Sequence, residues 1–314
     1  MFKHILGITA SAVMASTLLA GCGSAPVNTA NAKPSTVIHI TDDLHHTITL
    51  KKPATRIVTL EPSNAEIALD LGLKSHIVGT DQATFQYTPS PWHKELSGLK
   101  NIGPSYPGIS VEKIVAAKPN LVIASTGIKG LSALAQFHIP VLVLNPNSVN
   151  GVYHDILLVG EATGTTSKAH QLVQKMKAKV ASIESKVATV KHKPTVFYDL
   201  GGLYTTGHGT FLNSLISMAG AVNVAAPMST QPWPQVKAEQ VVKANPEDIL
   251  IDPAAGVSVS QEEHQAGFPA ITAVKTGHVY VLPNSSYTNE PSPALVMGLQ
   301  ELVKILHPHL NLGR

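Results

Sequence analysis

A single cysteine, two arginines and few aromatic side chains set the first bounds on this 314-residue chain. With Cys22 alone, neither an intramolecular disulfide nor a thiolate metal cluster can form. Arg56 and Arg314 are the only arginines, so the guanidinium fork that usually recognises multiply anionic ligands is nearly missing. That weakens, without excluding, anionic ferric chelates and phosphate-rich ligands. Lysine and arginine together number 23 against 20 acidic residues, a formal net charge of +3. No basic block or basic helix stands out, so a nucleic-acid partner is not expected. Also missing are a Gly-x-Ser-x-Gly elbow, a phosphate loop with Gly-Lys-Ser/Thr, a His-Glu-x-x-His helix and a dinucleotide fingerprint.

What is present begins with an export signal. Lys3 and His4 precede an uncharged apolar run over 5–20, and Leu19-Ala20-Gly21-Cys22 follows. A charged start, a short apolar stretch and small residues before a cleavage point describe a secretory signal over 1–21. The run is shorter than the ~20 residues that cross a bilayer comfortably. Leu-Ala-Gly-Cys resembles the bacterial lipobox, in which cysteine becomes the lipid-modified first residue. Cys22 is therefore the expected lipid anchor, on a flexible tether over 22–36 rich in Gly, Ser, Ala, Pro, Asn and Thr. The alternatives are an ordinary signal peptide with an incidental cysteine, or a short membrane anchor. The expected location is outside the cell membrane, or the periplasm where an outer membrane exists.

The remaining length suits two domains. Val37-Ile38-His39-Ile40 and Thr47-Ile48-Thr49-Leu50 read as a hairpin about Asp42-Asp43. From Arg56 onward, β-prone runs alternate with helical ones: Ile57 to Leu60, a helix opened by a Ser63-x-x-Glu66 capping box, His76 to Gly79, a helix from Val111, and Leu121 to Ile123. A further helix about 131–137 and the strand Val141 to Leu144 complete the series. A long helical pattern over 167–190 interrupts that rhythm, with Leu172, Val173, Met176, Val180, Ile183 and Val187 apolar. The alternation then restarts and ends in a helix over about 293–306. The expected fold is therefore α/β, two Rossmann-like lobes with mainly parallel sheets over 37–166 and 191–314, joined by one long helix. A repeat supports it: SVEKIVAAKPNLVIAS (110–125) aligns without a gap to KAEQVVKANPEDILID (237–252), Glu112 falling on Glu239 and Pro119 on Pro246.

Histidines in His45-His46, His264 and His307-Pro308-His309 lack the helical spacing of a zinc site and read as solvated surface residues, so no metal ligands and no catalytic set are expected. The scarce aromatics are more informative. Phe85, Tyr87, Trp92 and Tyr106 fall in a loop-rich stretch of the first half, and Tyr204, Trp233 and Tyr287 in loops of the second. Loops at strand ends of α/β sheets are where ligands bind, and flat side chains suit a large planar or apolar ligand.

RIVTLEPSNAEIALDLGLKSHIVG (56–79) resembles the opening of the first lobe in substrate-binding proteins of ABC importers for iron-siderophores, haem and vitamin B12. TDDLHHTITL (41–50) is similar to their N-terminal ribbon, with His45-His46 in place of the usual Gly-Arg. GEATGTTSKAH (160–170) and SPALVMGLQELVKILHP (292–308) resemble the start of their connecting helix and their last helix. PWPQVKAEQV (232–241) looks most like vitamin B12-binding members. The resemblance implies a periplasmic-binding-protein fold hinged only slightly by the helix at 167–190. It implies a binding function without covalent chemistry, the ligand being cobalamin or a related corrinoid, alternatively a ferric siderophore or haem. An exported metal-dependent hydrolase is the rival from another class. Ligand contacts are implied for Tyr106, Tyr204, Trp233 and Tyr287, with Phe85, Tyr87 and Pro62 as further ones. Asn289 and Glu290 stand near a place where a basic residue is expected. The implied partners are an ABC permease dimer with its ATPase subunits, met by Glu112 and Glu239. No cofactor is expected beyond a metal chelate carried as ligand.

Overall fold

Short runs of Val, Ile and Leu become strands here because helices cover both faces of the two parallel sheets, so most of their strand side chains are buried. The computed structural model describes residues 37–313; the signal segment 1–21, Cys22 and the tether to residue 36 lie outside the described residues. At the start, Ile38–Thr41 (β1) and Thr47–Leu50 (β2) pair antiparallel with Ile38 opposite Leu50. The buried Asp42 carboxylate closes their turn by accepting the N–H groups of Leu44 at 3.0 Å and His46 at 2.8 Å.

Strands Ile57–Thr59 (β3), Ile77–Thr80 (β4), Leu121–Ser125 (β5) and Val141–Leu144 (β6) form a parallel sheet in the order β4-β3-β5-β6. Thr195–Asp199 (β7), Val222–Asn223 (β8), Asp248–Ile251 (β9) and Val279–Val281 (β10) form a second, ordered β8-β7-β9-β10. Both sheets follow one plan, second-first-third-fourth. The sequence repeat is the structural repeat as well: the helices Val111–Ala116 and Ala238–Ala244 each lead into the third strand of their sheet. Lys118 and Asn245, aligned in the repeat, both take left-handed backbone at φ 50° and 48° before their prolines. Asparagine tolerates that conformation better than lysine. In the first copy Arg56 supports the turn, donating from Nε to the Lys118 carbonyl at 2.8 Å and from Nη2 to that of Ala117 at 2.7 Å. One of the two arginines is thereby committed to capping a helix.

Between the sheets runs the helix Thr166–Val187. Its buried residues Ala169, Val173, Met176, Val180 and Ile183 recur at four- and three-residue steps and make one apolar stripe, with lysines on the other faces. The stripe packs on the helix Val149–Thr163 and on the last helix, Leu295–Leu306. Gly160 permits the first contact, because a Cβ there would lie 2.5 Å from the Ala169 Cβ. One apolar cluster contains Ile57 and Ile123 of the first sheet, this stripe, and Val196 and Tyr198 of the second, so the halves share a core.

One helix is added and one expectation is corrected. Val149–Thr163 is an unforeseen fifteen-residue helix, buried around most of its circumference and so without a clear amphipathic signature. The Ser63-Glu66 capping box does not form. The helix Pro62–Asp70 starts with Pro62 after Glu61 and has no side-chain cap. Glu66 instead accepts the Ser292 hydroxyl, and the Ser63 N–H donates to Glu290 at 3.3 Å. Both partners lie in the second half of the chain, beyond the reach of local pattern.

Candidate functional site

Parallel strands direct their following loops to one edge, and the loops of both sheets meet there around a cavity of about 520 Å³. Glu61, Ser63 and Asn64 follow β3, Ser125 and Thr126 end β5, and Asn145 follows β6. From the other half come Thr210 and Phe211 after β7, Trp233 after β8, and Asn289 and Glu290 after β10. A second cavity of about 390 Å³, lined by Pro62, Gln86, Tyr87 and Ser105, shares Glu61, Tyr106 and Glu290 with the first. The two together form one cleft.

Tyr106 and Trp233 face this cleft from opposite halves, each about half exposed, at 53% and 50%. The Tyr106 hydroxyl donates to the Thr126 carbonyl at 3.0 Å, which fixes the ring. Gly127, at φ 82°, makes room for that hydroxyl, since a Cβ there would stand 2.7 Å from it. Pro62 and Tyr87 line the adjoining cavity. Phe85 and Tyr287 are partly buried against the shared core and line neither cavity. Tyr204 is half exposed outside both linings, bridged through its backbone to Gln235. The expected loop placement changes for three of these residues: Phe85 and Tyr87 sit on the helix Gln82–Tyr87, and Tyr287 on Ser286–Asn289. Trp92 is buried in a short helical turn, where its Nε1 donates to Asp70 at 2.8 Å. His45, His46, His264 and His309 are exposed as expected, but His307 is buried and its Nε2 lies 2.9 Å from the Ala219 carbonyl. Among the described residues no three His, Cys, Asp or Glu side chains converge as a metal-binding group.

Carboxyl groups dominate the site's electrostatics. Ser105 Oγ donates between Glu61 at 3.0 Å and Asp81 at 2.8 Å, and the Glu61 N–H donates to Asp81 at 3.1 Å. Burial, with the Asp81 charge beside it, raises the Glu61 carboxyl above its ordinary value. Burial and the neighbouring Glu61 push Glu290 up to about 8. Asp155, on the helix Val149–Thr163, also lines the larger cavity. Its burial and the nearby Asp43 carboxyl push it up to about 9. No lysine, arginine or histidine lines either cavity. Sequence reasoning does not reach Glu61, Asp81 or Asp155, because an isolated Glu or Asp in a loop or helix reads as solvated. The one available signal was Glu290, standing where the family resemblance implies a basic residue nearby.

A cleft built by strand-end loops of two like sheets, with flat rings on both walls, defines a two-lobed ligand-binding protein. The chain belongs to the Periplasmic binding protein family, whose profile matches residues 57–286. It is 33% identical over 98% of its length to the ABC transporter substrate-binding lipoprotein YvrC of Bacillus subtilis (strain 168), covering 98% of that protein. It is 29% identical to a cobalamin-binding protein of Halobacterium salinarum, over 83% of this chain and 71% of that one. A solved structure described as a possible iron-binding (periplasmic solute-binding) protein of Staphylococcus epidermidis ATCC 12228 superposes with a TM-score of 0.70 at 26% identity, over 82% of this chain and 100% of that one.

Proposed function

We propose that this protein is the substrate-binding lipoprotein of an ABC importer, holding cobalamin or a related corrinoid between its lobes and delivering it to the permease with its ATPase subunits. The observation that carries the reading is the pairing of Tyr106 and Trp233 across one cleft. Two flat rings on opposed walls suit the faces of a broad macrocycle, and the amide and hydroxyl groups of Asn64, Ser125, Asn145 and Thr210 suit its peripheral carboxamides. Relatives whose names carry substrate binding and cobalamin support the same reading. The basic-free lining speaks against the haem and ferric-siderophore alternatives wherever those ligands present carboxylates. Pro62 and Tyr87 would extend the contact surface into the adjoining cavity. For Phe85, Tyr204 and Tyr287 the reading keeps only a secondary role, since none lines the cleft.

Cys22 would hold the protein at the outer face of the cell membrane through its lipid. A ligand-transfer role needs no covalent step, which sets the reading apart from an exported hydrolase. Deleting the gene from its host and following uptake of labelled cobalamin tests the proposal. Uptake should fall on deletion and return with the intact chain. A deletion strain with undiminished uptake of cobalamin and of related corrinoids would reject the importer role.

A further inference from the structure

Three carboxyl groups from separate parts of the fold line the larger cavity: Glu61 after β3, Asp155 on the helix Val149–Thr163, and Glu290 before the last helix. Asp155 is only 1% exposed, and apart from the Asp43 carboxyl beside it neither of its side-chain oxygens has a partner. Asn289 Oδ1, on the same lining, is likewise an acceptor without a donor. Buried polar groups left without partners are costly, and a ligand that supplies hydrogen-bond partners or positive charge relieves that cost. The titratable groups facing these three are themselves acids. Asp43 from the β1–β2 turn faces Asp155, Asp81 and Glu66 stand about Glu61 and Glu290, and the Tyr106 hydroxyl lies near Glu61. No cation lines the cleft to receive an anionic group.

We propose that the cleft selects ligands bearing positive charge or hydrogen-bond donors and no anionic group, so that a cationic corrinoid lacking the phosphodiester-linked nucleotide is bound in preference to cobalamin. The inference rests on the reading of this cleft as a corrinoid site. A phosphodiester entering it meets no cation to balance its charge, whereas a cationic macrocycle meets carboxyl groups that ionise in response. Glu290 and Asp155, raised to about 8 and about 9, hold protons at neutral pH. A bound cation expels them, so affinity for the cationic ligand rises with pH while that for cobalamin does so less.

Tryptophan-fluorescence titrations of the mature protein with diaquocobinamide, cobalamin and haem, at about pH 6 and about pH 8, test this. The cationic cobinamide should bind at least about tenfold more tightly than cobalamin, with haem weakest, and the preference should widen at the higher pH. Asp155→Asn and Glu61→Gln should each shrink the preference several-fold. Thermal melts identify a variant that fails to fold, in which case the other variant and the pH series decide. Cobalamin bound as tightly as cobinamide, at both pH values, would overturn the selectivity and leave the corrinoid reading standing. Binding of neither corrinoid would overturn both.

Discussion

Trp233 leaves half of its side chain uncovered at the cleft wall, and such a residue contributes little to folding and much to a ligand that covers it. Trp233→Ala should therefore weaken corrinoid binding at least about tenfold with an unchanged melting temperature, as fluorescence-independent calorimetric titration can read. Glu290 makes a different prediction. Its carboxyl is raised from 4.5 to about 8, so the folded protein binds a proton there that the unfolded chain has lost. Its contribution to stability is whole below about pH 4.5 and fades as pH rises through about 8. Glu290→Gln keeps an acceptor for the Ser63 N–H, and should flatten the fall of melting temperature between about pH 5 and about pH 9. Scarcity in loops marks seven aromatics alike, and the family resemblance narrows them to Tyr106, Tyr204, Trp233 and Tyr287, of which Tyr106 and Trp233 line the cleft. Sequence alone could not point to Asp155 or Glu61, whose significance comes from burial beside other acids, nor separate the core-packed Phe85 and Tyr287 from ring residues on the cleft.

At the scale of elements, the strands and the connecting helix were legible because each carries its own pattern, period two or unbroken apolar in the strands and period 3.6 in the helix. Val149–Thr163 carries no such contrast, being buried on most sides, and the Ser63-Glu66 motif was claimed by Glu290 and Ser292 from the far half of the chain. The connecting helix is the element on which both halves depend. Met176, buried in the middle of its stripe, packs in the cluster that joins them. Met176→Ala should cost about 2–5 kcal/mol of stability in urea denaturation, through lost burial and the cavity left behind. If the two halves share a core as described, unfolding of this variant should remain one transition.

Over the whole molecule, the two sheets repeat one topology, and Glu112 and Glu239 occupy the same first-turn position of matched helices. Both are exposed, and neither forms an ion pair among the described residues. Carboxylates in a first helical turn gain locally from the helix dipole, but that gain does not call for one in each copy. A permease of two equivalent subunits presents two similar surfaces, and we propose that each glutamate meets one of them. Charge pairs of that kind set orientation and association rate. Glu112→Ala with Glu239→Ala should abolish uptake in cells while calorimetry on the isolated protein shows unaltered ligand affinity; normal uptake would remove the docking role. The account as a whole turns on what enters the cleft between Tyr106 and Trp233. Titration of the purified mature protein with cobalamin, cobinamide, haem and ferric siderophores, read by quenching of tryptophan fluorescence, asks that directly. Saturable quenching by corrinoids at one ligand per protein, with Trp233→Ala binding them at least about tenfold more weakly in calorimetry, is the predicted result; saturation by haem or a ferric siderophore with no response to either corrinoid would contradict it.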